Sequence, residues 1–153
     1  MAIALGAVLL PMTVRPQSTP VDHTSQAQLM DQAKSLEQAA SASGGSAAIT
    51  LAKYPNHFTM LSLRQNDGGA EVHTKFADFF YVVHGEANLT SGGAIVDPKE
   101  VSPGEFRGSA VKDGVQETLR EGDFVHIPAN TPHQLSLPKG GELVYFVIKV
   151  KEN

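Results

Sequence analysis

The chain has 153 residues, of which 41% are hydrophobic and 18% are charged, a composition that favours one globular domain and excludes a disordered chain. Its formal net charge is -4, from 12 basic and 16 acidic residues that are interspersed along the sequence, so we expect no nucleic-acid partner. There is no cysteine, which excludes thiolate ligands and leaves histidine, carboxylate and water to hold any metal.

The chain begins with an apolar run at residues 2–10, which is too short to span a bilayer, so we expect no membrane partner. The run has the length of a signal peptide but lacks basic residues before it. It is either a signal whose start lies upstream, or an N-terminal strand that packs on the barrel or on a partner subunit. The polar stretch at residues 13–25 favours a signal and a periplasmic or secreted protein; otherwise we expect a cytoplasmic one.

Three units are predicted along the chain: an N-terminal segment and linker at 1–23, a helix with a glycine stop at 24–45, and a β-barrel at 46–153. The helix is expected at about 24–41. Thr24 or Ser25 can cap it, and the apolar residues Leu29, Ala33 and Leu36 recur at helical spacing.

Downstream of Gly45 the apolar pattern changes to the alternation that is typical of strands. Strands are predicted at residues 48–54, 58–64, 71–75, 79–83, 87–90, 94–96, 116–119, 124–127, 134–137 and 143–150. We expect a turn at His84 and Gly85, and a long connection at 94–114 that lies over the surface or covers a site. Many short strands separated by turns predict an all-β sandwich or barrel with one N-terminal helix.

Two strand-borne groups of histidine and carboxylate are the candidate site. Glu71, His73 and Lys75 share one face of a strand because side chains alternate, and Asp78 follows after a short corner. Farther along the chain, His133 begins a strand and shares its apolar face with two leucines, which predicts that its imidazole is buried.

A buried imidazole needs partners for its nitrogens, and two interpretations stay open. One is a divalent metal held by His73, His133 and either Glu71 or Asp78; such a set suits Fe(II), and also Mn or Zn. The other is a hydrogen-bonded polar patch without a metal.

Two further residues are candidates for catalysis beside Glu71. Lys75 either points inward, where it could hold an anion or act as a base with a lowered pKa, or lies at the barrel rim with its ammonium in water. His126 shares a face with Phe124 and either contacts the substrate or is a core histidine that is bonded to the backbone.

The spacing of these groups resembles the paired motifs of the cupin family. In the second motif, Gly122, Pro128 and His133 stand at the usual spacing, and Asn130 takes the place of a turn glycine. Asparagine tolerates the left-handed backbone that such a turn requires.

The first cupin motif is matched in spacing by Glu71, His73, Asp78 and Gly85. Glu71 stands where the family usually has its first histidine, and Asp78 stands where the family usually has a glutamate. The additional negative charge favours Fe, Mn or Zn over softer ions.

The resemblance implies a cupin-type double-stranded β-helix, or jelly-roll, barrel that forms a homodimer. It also implies that His73, Asp78 and His133 bind a metal, with Glu71 as a further ligand or a base. The implied function is that of a metal-dependent enzyme resembling a dioxygenase, with a small organic molecule as its ligand. A non-enzymatic module that binds a small ligand, and a metal-free isomerase or epimerase, are the alternatives.

Overall fold

The computed structural model describes residues 21–152. The predicted N-terminal run, whether signal or strand, therefore lies outside the described residues. In the described part the elements are α1 (Gln26–Ala42), β1 (Ser46–Lys53), β2 (His57–Arg64), β3 (Ala70–His73), β4 (Phe76–Ser91), β5 (Ala94–Val96), β6 (Lys99–Ser102), β7 (Glu105–Gly108), β8 (Ala110–Lys112), β9 (Val115–Arg120), β10 (Phe124–Ile127), β11 (His133–Ser136) and β12 (Leu143–Lys151). No helix within residues 21–152 is long and apolar enough to cross a membrane.

Helix α1 begins and ends close to its predicted bounds. Ser25 and Gln28 form a capping box, in which each side chain accepts a hydrogen bond from the other residue's backbone N–H. The buried stripe of the helix packs on the outer face of the sheet, and this cluster comprises Leu29, Ala33, Leu36, Ala40, Leu61, Leu63, Val83 and Val144.

Ten strands form a curled sheet in the order β1-β2-β12-β4-β11-β3-β7-β6, with β9 and β10 also paired to β4. Strands β5 and β8 pair with each other in a separate two-stranded sheet. Neighbouring strands run antiparallel. Each of the ten predicted strands overlaps an observed strand. The predicted mainly β class with one N-terminal helix is therefore confirmed.

The predicted turn at His84 and Gly85 is wrong, because β4 continues through both residues for 16 residues in all. Gly85 has φ +90°, and a Cβ there would collide with the carbonyl oxygen of Glu142. Glycine often marks a turn, but here Gly85 allows one long strand to bend. The first half of β4 pairs with β10 and β12, and the second half pairs with β9 and β11.

An irregularity in the pairing of β12 with β4 accompanies this bend. The inward-facing apolar residues of β4 are Phe80 and Val82 before the bend but Ala87 and Leu89 after it. The residues that face inward thus change from even-numbered to odd-numbered across residues 83–86. One additional residue in a strand, a β-bulge, has this effect.

The segment at 94–114 is not the plain connection that its composition predicts, because β6, β7 and β8 lie within it. Strand β7 pairs with β3, which places Arg107 opposite Glu71 and Glu105 opposite His73. Cross-strand neighbours of this kind have side chains close enough to interact. This pairing brings two further charged residues to the candidate site.

Candidate metal centre

Three neighbouring strands bring the candidate residues together. Glu71 and His73 lie on the same face of β3, and His133 of β11 is the direct cross-strand partner of Glu71. Asp78 enters from the first half of β4, on the inward face that it shares with Phe80 and Val82. His73 and His133 are each only 3% exposed, so both imidazoles lie inside the barrel, as the alternation predicted for His133.

The polar atoms of these four side chains converge on one point. The Nε2 atom of His73 lies 3.3 Å from a carboxylate oxygen of Glu71 and 3.3 Å from one of Asp78. The Nε2 atom of His133 lies 4.0 Å and 3.8 Å from the same two oxygens. Ligands about 2.0–2.2 Å from a shared metal are separated from one another by distances of this size.

Both imidazole rings are fixed through their other nitrogen. Nδ1 of His73 bonds the carboxylate of Glu105 at 2.5 Å, and Nδ1 of His133 bonds the carbonyl oxygen of Thr131 at 3.0 Å. An acceptor at Nδ1 keeps a proton there, so that Nε2 is the nitrogen that faces the site and would bind a metal.

The two Nε2 atoms are buried and have no hydrogen-bond partner in the described part of the chain. Buried polar atoms without partners are rare because they cost free energy. Glu71, His73 and His133 each offer one ligand atom, and these atoms all lie within 4.8 Å of one another. The donor set therefore fits a divalent metal and accounts for both orphaned nitrogens.

Asp78 differs from the other three because a lysine neutralises it. Both carboxylate oxygens bond Nζ of Lys149, at 2.6 Å and 2.8 Å, and Lys149 is the direct cross-strand partner of Asp78 on β12. Sequence reasoning missed Lys149, although it alternates with the inward-facing Tyr145 and Val147. Whether Asp78 is itself a ligand or orients the site stays a prediction.

The charges of the site move the pKa values of the two histidines in opposite directions. Burial lowers the pKa of His73, but the carboxylates of Asp78 and Glu71 outweigh it and raise the value to about 9. Burial lowers the pKa of His133, and the bond to the Thr131 carbonyl and the more distant carboxylates do not offset this.

The carboxylates of the site are held in the charged form. Burial raises the pKa of Glu71, but His73 and Arg107 outweigh it and lower the value to about 2. The pKa of Asp78 is likewise lowered, since His73 and Lys149 outweigh the effect of burial. At neutral pH the site therefore presents ionised carboxylates, which are the form that binds a metal.

A cavity of about 260 Å3 adjoins the centre. Its charged lining residues are Arg64, Glu71, Asp78, Arg107 and Lys149, and its other walls include Met60, Ser62, Phe80, Tyr145 and Val147. The guanidinium of Arg107 lies 3.7 Å from the carboxylate of Glu71 and 3.8 Å from that of Glu105. The volume is just below the range of drug-sized ligand pockets and suits a small molecule.

The structure does not bring Lys75 or His126 into the centre. Lys75 is exposed, because β3 ends at His73 and the alternation that would turn the lysine inward ends with it. This fits the interpretation in which its ammonium lies in water. His126 is exposed on the outer face and stacks on the ring of Phe79 at 4.3 Å. The inward residues of that strand are Val125 and Ile127, which belong to the core.

No protein-family model matches the chain, and no curated protein matches it. Among solved structures, it is similar to a cupin superfamily protein from Desulfitobacterium hafniense DCB-2, with 15% identity, a TM-score of 0.50 and coverage of 70% of this chain and 78% of that one. It is similar to Fe(II) HppE, with 12% identity, a TM-score of 0.52 and coverage of 69% and 50%.

A structure of a DMSP lyase is also similar, with 15% identity, a TM-score of 0.50 and coverage of 69% of this chain and 47% of that one. The chain thus spans about half of the length of HppE and of the lyase. At these identities the likeness establishes a shared fold.

Proposed function

Because this chain has the cupin fold, we propose that it is a metal-dependent enzyme that acts, like a dioxygenase, on a small organic molecule in the barrel. His73, His133 and Glu71 would hold Fe, Mn or Zn, with Asp78 as the further candidate ligand. One observation carries the proposal: two buried Nε2 atoms without partners face one carboxylate while their Nδ1 atoms are fixed.

A redox-active ion such as Fe(II), held by two histidines and a carboxylate with open positions, would supply O2 and substrate activation when bound. Other residues of the protein orient these ligands and set their charge. Glu105 and the Thr131 carbonyl orient the two rings, and Lys149 keeps Asp78 ionised. That Fe(II) is present in HppE, which has the same fold, supports iron as the first ion to test.

The test is reconstitution of metal-depleted protein with Fe2+, Mn2+ or Zn2+ in turn. We expect about one ion to be retained per chain and the Tm to rise by about 5–10 °C at saturating metal. His133→Ala removes one ligand, so it should retain no ion and show no rise. Oxygen consumption by the iron-loaded protein with a panel of small organic molecules then tests the activity. Protein that retains none of the three ions, with an unchanged Tm, would refute the metal centre.

A second candidate has its own observation in favour. The imidazole of His73 lies 3.3 Å from two ionised carboxylates, an arrangement that could serve as the acid and base of a metal-free isomerase or epimerase. An ion bound by three protein ligands at about 2.0–2.3 Å would exclude this alternative.

We also propose a homodimer, which the resemblance of the motifs to those of cupins implies. Light scattering of the purified protein tests this, and we expect the mass of two chains. A monomer at micromolar concentration would refute it. The compartment depends on the interpretation of residues 1–20 and stays a prediction.

A further inference from the structure

One cation of the cavity lacks a carboxylate partner. Three cations line the cavity, Arg64, Arg107 and Lys149. Arg107 lies beside Glu71 and Glu105, and Lys149 bonds Asp78. Within residues 21–152, no carboxylate lies in ion-pair range of Arg64, and its Nε atom is buried without a hydrogen-bond partner.

Arg64 is held in place at the end of β2. Its cross-strand partners are Ser46 and Leu143, and its guanidinium packs so closely on Gly68 that a Cβ there would lie 2.8 Å from Nη1. The phenol of Tyr145 adjoins it, and although Arg64 favours the phenolate, burial dominates and raises the pKa of Tyr145. The neighbour of Arg64 is thus a neutral hydroxyl, which leaves the positive charge uncompensated.

The cavity is positively charged once the centre is loaded. Its three lining cations face two lining carboxylates, Glu71 and Asp78, and a divalent ion would add two further positive charges. A concave site with an excess of one sign of charge and buried walls concentrates ligands of the opposite sign. The guanidinium fork matches the two oxygens of a carboxylate, and the nearby hydroxyls of Ser62 and Tyr145 can donate additional hydrogen bonds.

We infer that Arg64, with Tyr145 and Ser62, binds the carboxylate of a small organic acid whose other end faces the centre formed by Glu71, His73 and His133. The inference names small organic acids as the ligand class of the proposed enzyme. It rests on the proposed function only for the end of the ligand that faces the metal centre. The anion site itself is built from residues that are not metal ligands, so it is present with or without the ion.

The test is calorimetric binding of succinate, with uncharged succinamide as its matched control, to metal-free and to Mn2+-loaded protein. We expect succinate to bind at least tenfold more tightly than succinamide in both states. Arg64→Gln should weaken succinate binding by about 30-fold or more because, within residues 21–152, it removes the one cation of the cavity lining that has no carboxylate partner. Arg64→Lys should give an intermediate value because a point charge replaces the fork. Arg120→Gln, an exposed arginine whose partner is Glu86, should bind as the wild type does.

Several outcomes would overturn the inference: equal binding of succinate and succinamide, undiminished succinate binding by the Arg64 variants, or tighter binding of inorganic phosphate than of succinate. Circular dichroism and Tm show whether Arg64→Gln is folded. If that variant does not fold, the comparison of Arg64→Lys with the wild type tests the inference. Mn2+ affinity is measured on the same samples and should be unchanged in both variants. A wild type that binds succinate but no Mn2+ would overturn the metal enzyme and leave the anion site standing.

Discussion

His73 and His133 are equally buried, yet the two sides of the centre that they form are electrically opposite. Three carboxylates contact His73, from Glu71, Asp78 and Glu105. His133 has a backbone carbonyl at Nδ1 and only the more distant oxygens of Glu71 and Asp78. The pKa of the first is raised to about 9 and that of the second is lowered.

Burial alone therefore does not set the protonation state of an imidazole. Desolvation opposes the charged form of both rings, and nearby carboxylates outweigh it on one side only. Without a metal, His73 is the cation that holds the carboxylates together, whereas His133 is a neutral side chain. A bound metal would replace the positive charge of His73 among the carboxylates and would be bound by His133 as well.

The largest effect is expected from removal of each ring in metal-free protein. His73→Leu removes the cation that contacts all three carboxylates, so that Asp78 keeps only Lys149 and Glu71 and Glu105 share only the more distant Arg107. It should lower the free energy of unfolding by about 3 kcal/mol or more. His133→Leu loses one hydrogen bond to a carbonyl and should cost about 1 kcal/mol. Urea unfolding measures both. The exposed His126→Leu is the control and should stay within about 0.5 kcal/mol of wild type. Equal losses for the two buried rings would contradict the contrast.

A smaller effect is expected when the His73 side is made to resemble the His133 side. Glu105→Gln replaces the charged acceptor at Nδ1 with a neutral one while keeping an oxygen in place. Mn2+ affinity should fall by about tenfold because the ring becomes a weaker and less firmly oriented ligand. Isothermal titration measures this, with the exposed Glu117→Gln of β9 as the matched control. An affinity unchanged in Glu105→Gln would show that the 2.5 Å contact does not tune the ligand.

The contrast also predicts the pH dependence of the metal-free protein. The folded pKa of His73, about 9, lies above its ordinary value of 6.5, so its stabilisation is complete below pH 6.5 and is lost as the pH rises through 9. We expect the Tm to fall by about 5 °C across this window. His133 acts with the opposite sign, since its lowered pKa makes stability fall below pH 6.5. Thermal melts in chelator measure both, and His73→Leu should abolish the alkaline decline. A decline that persists in that variant would assign the effect to another group.

Much of the site could be predicted from the sequence because it follows from alternation within single strands. Glu71 and His73 are two residues apart on β3, and His133 alternates with a buried leucine on β11. The spacing of these residues also resembled the cupin motifs, and the cupin fold is confirmed.

The contacts that Lys149 and Glu105 make depend on the register between strands, which alternation within one strand does not reveal. Lys149 lies directly opposite Asp78, and Glu105 lies directly opposite His73. For His126, the apolar Phe124 suggested an inward face, but Phe124 is 64% exposed. The alternation fits either face of a strand, and only its pairing with β4 determines which face is buried.

The bend of β4 has a consequence for the lengths that this chain can adopt. Asp78 lies on one side of Gly85, and Ser91, the cross-strand partner of His133, lies on the other. The inward side changes from even to odd residues across the bend. Deletion of a single residue there would turn Ala87 and Leu89 outward and would shift the pairing of β4 with β11 by one residue. Relatives of this protein should therefore vary freely in length in their exposed loops but keep a fixed number of residues within β4, between its first carboxylate and the end that pairs with the strand of the second histidine.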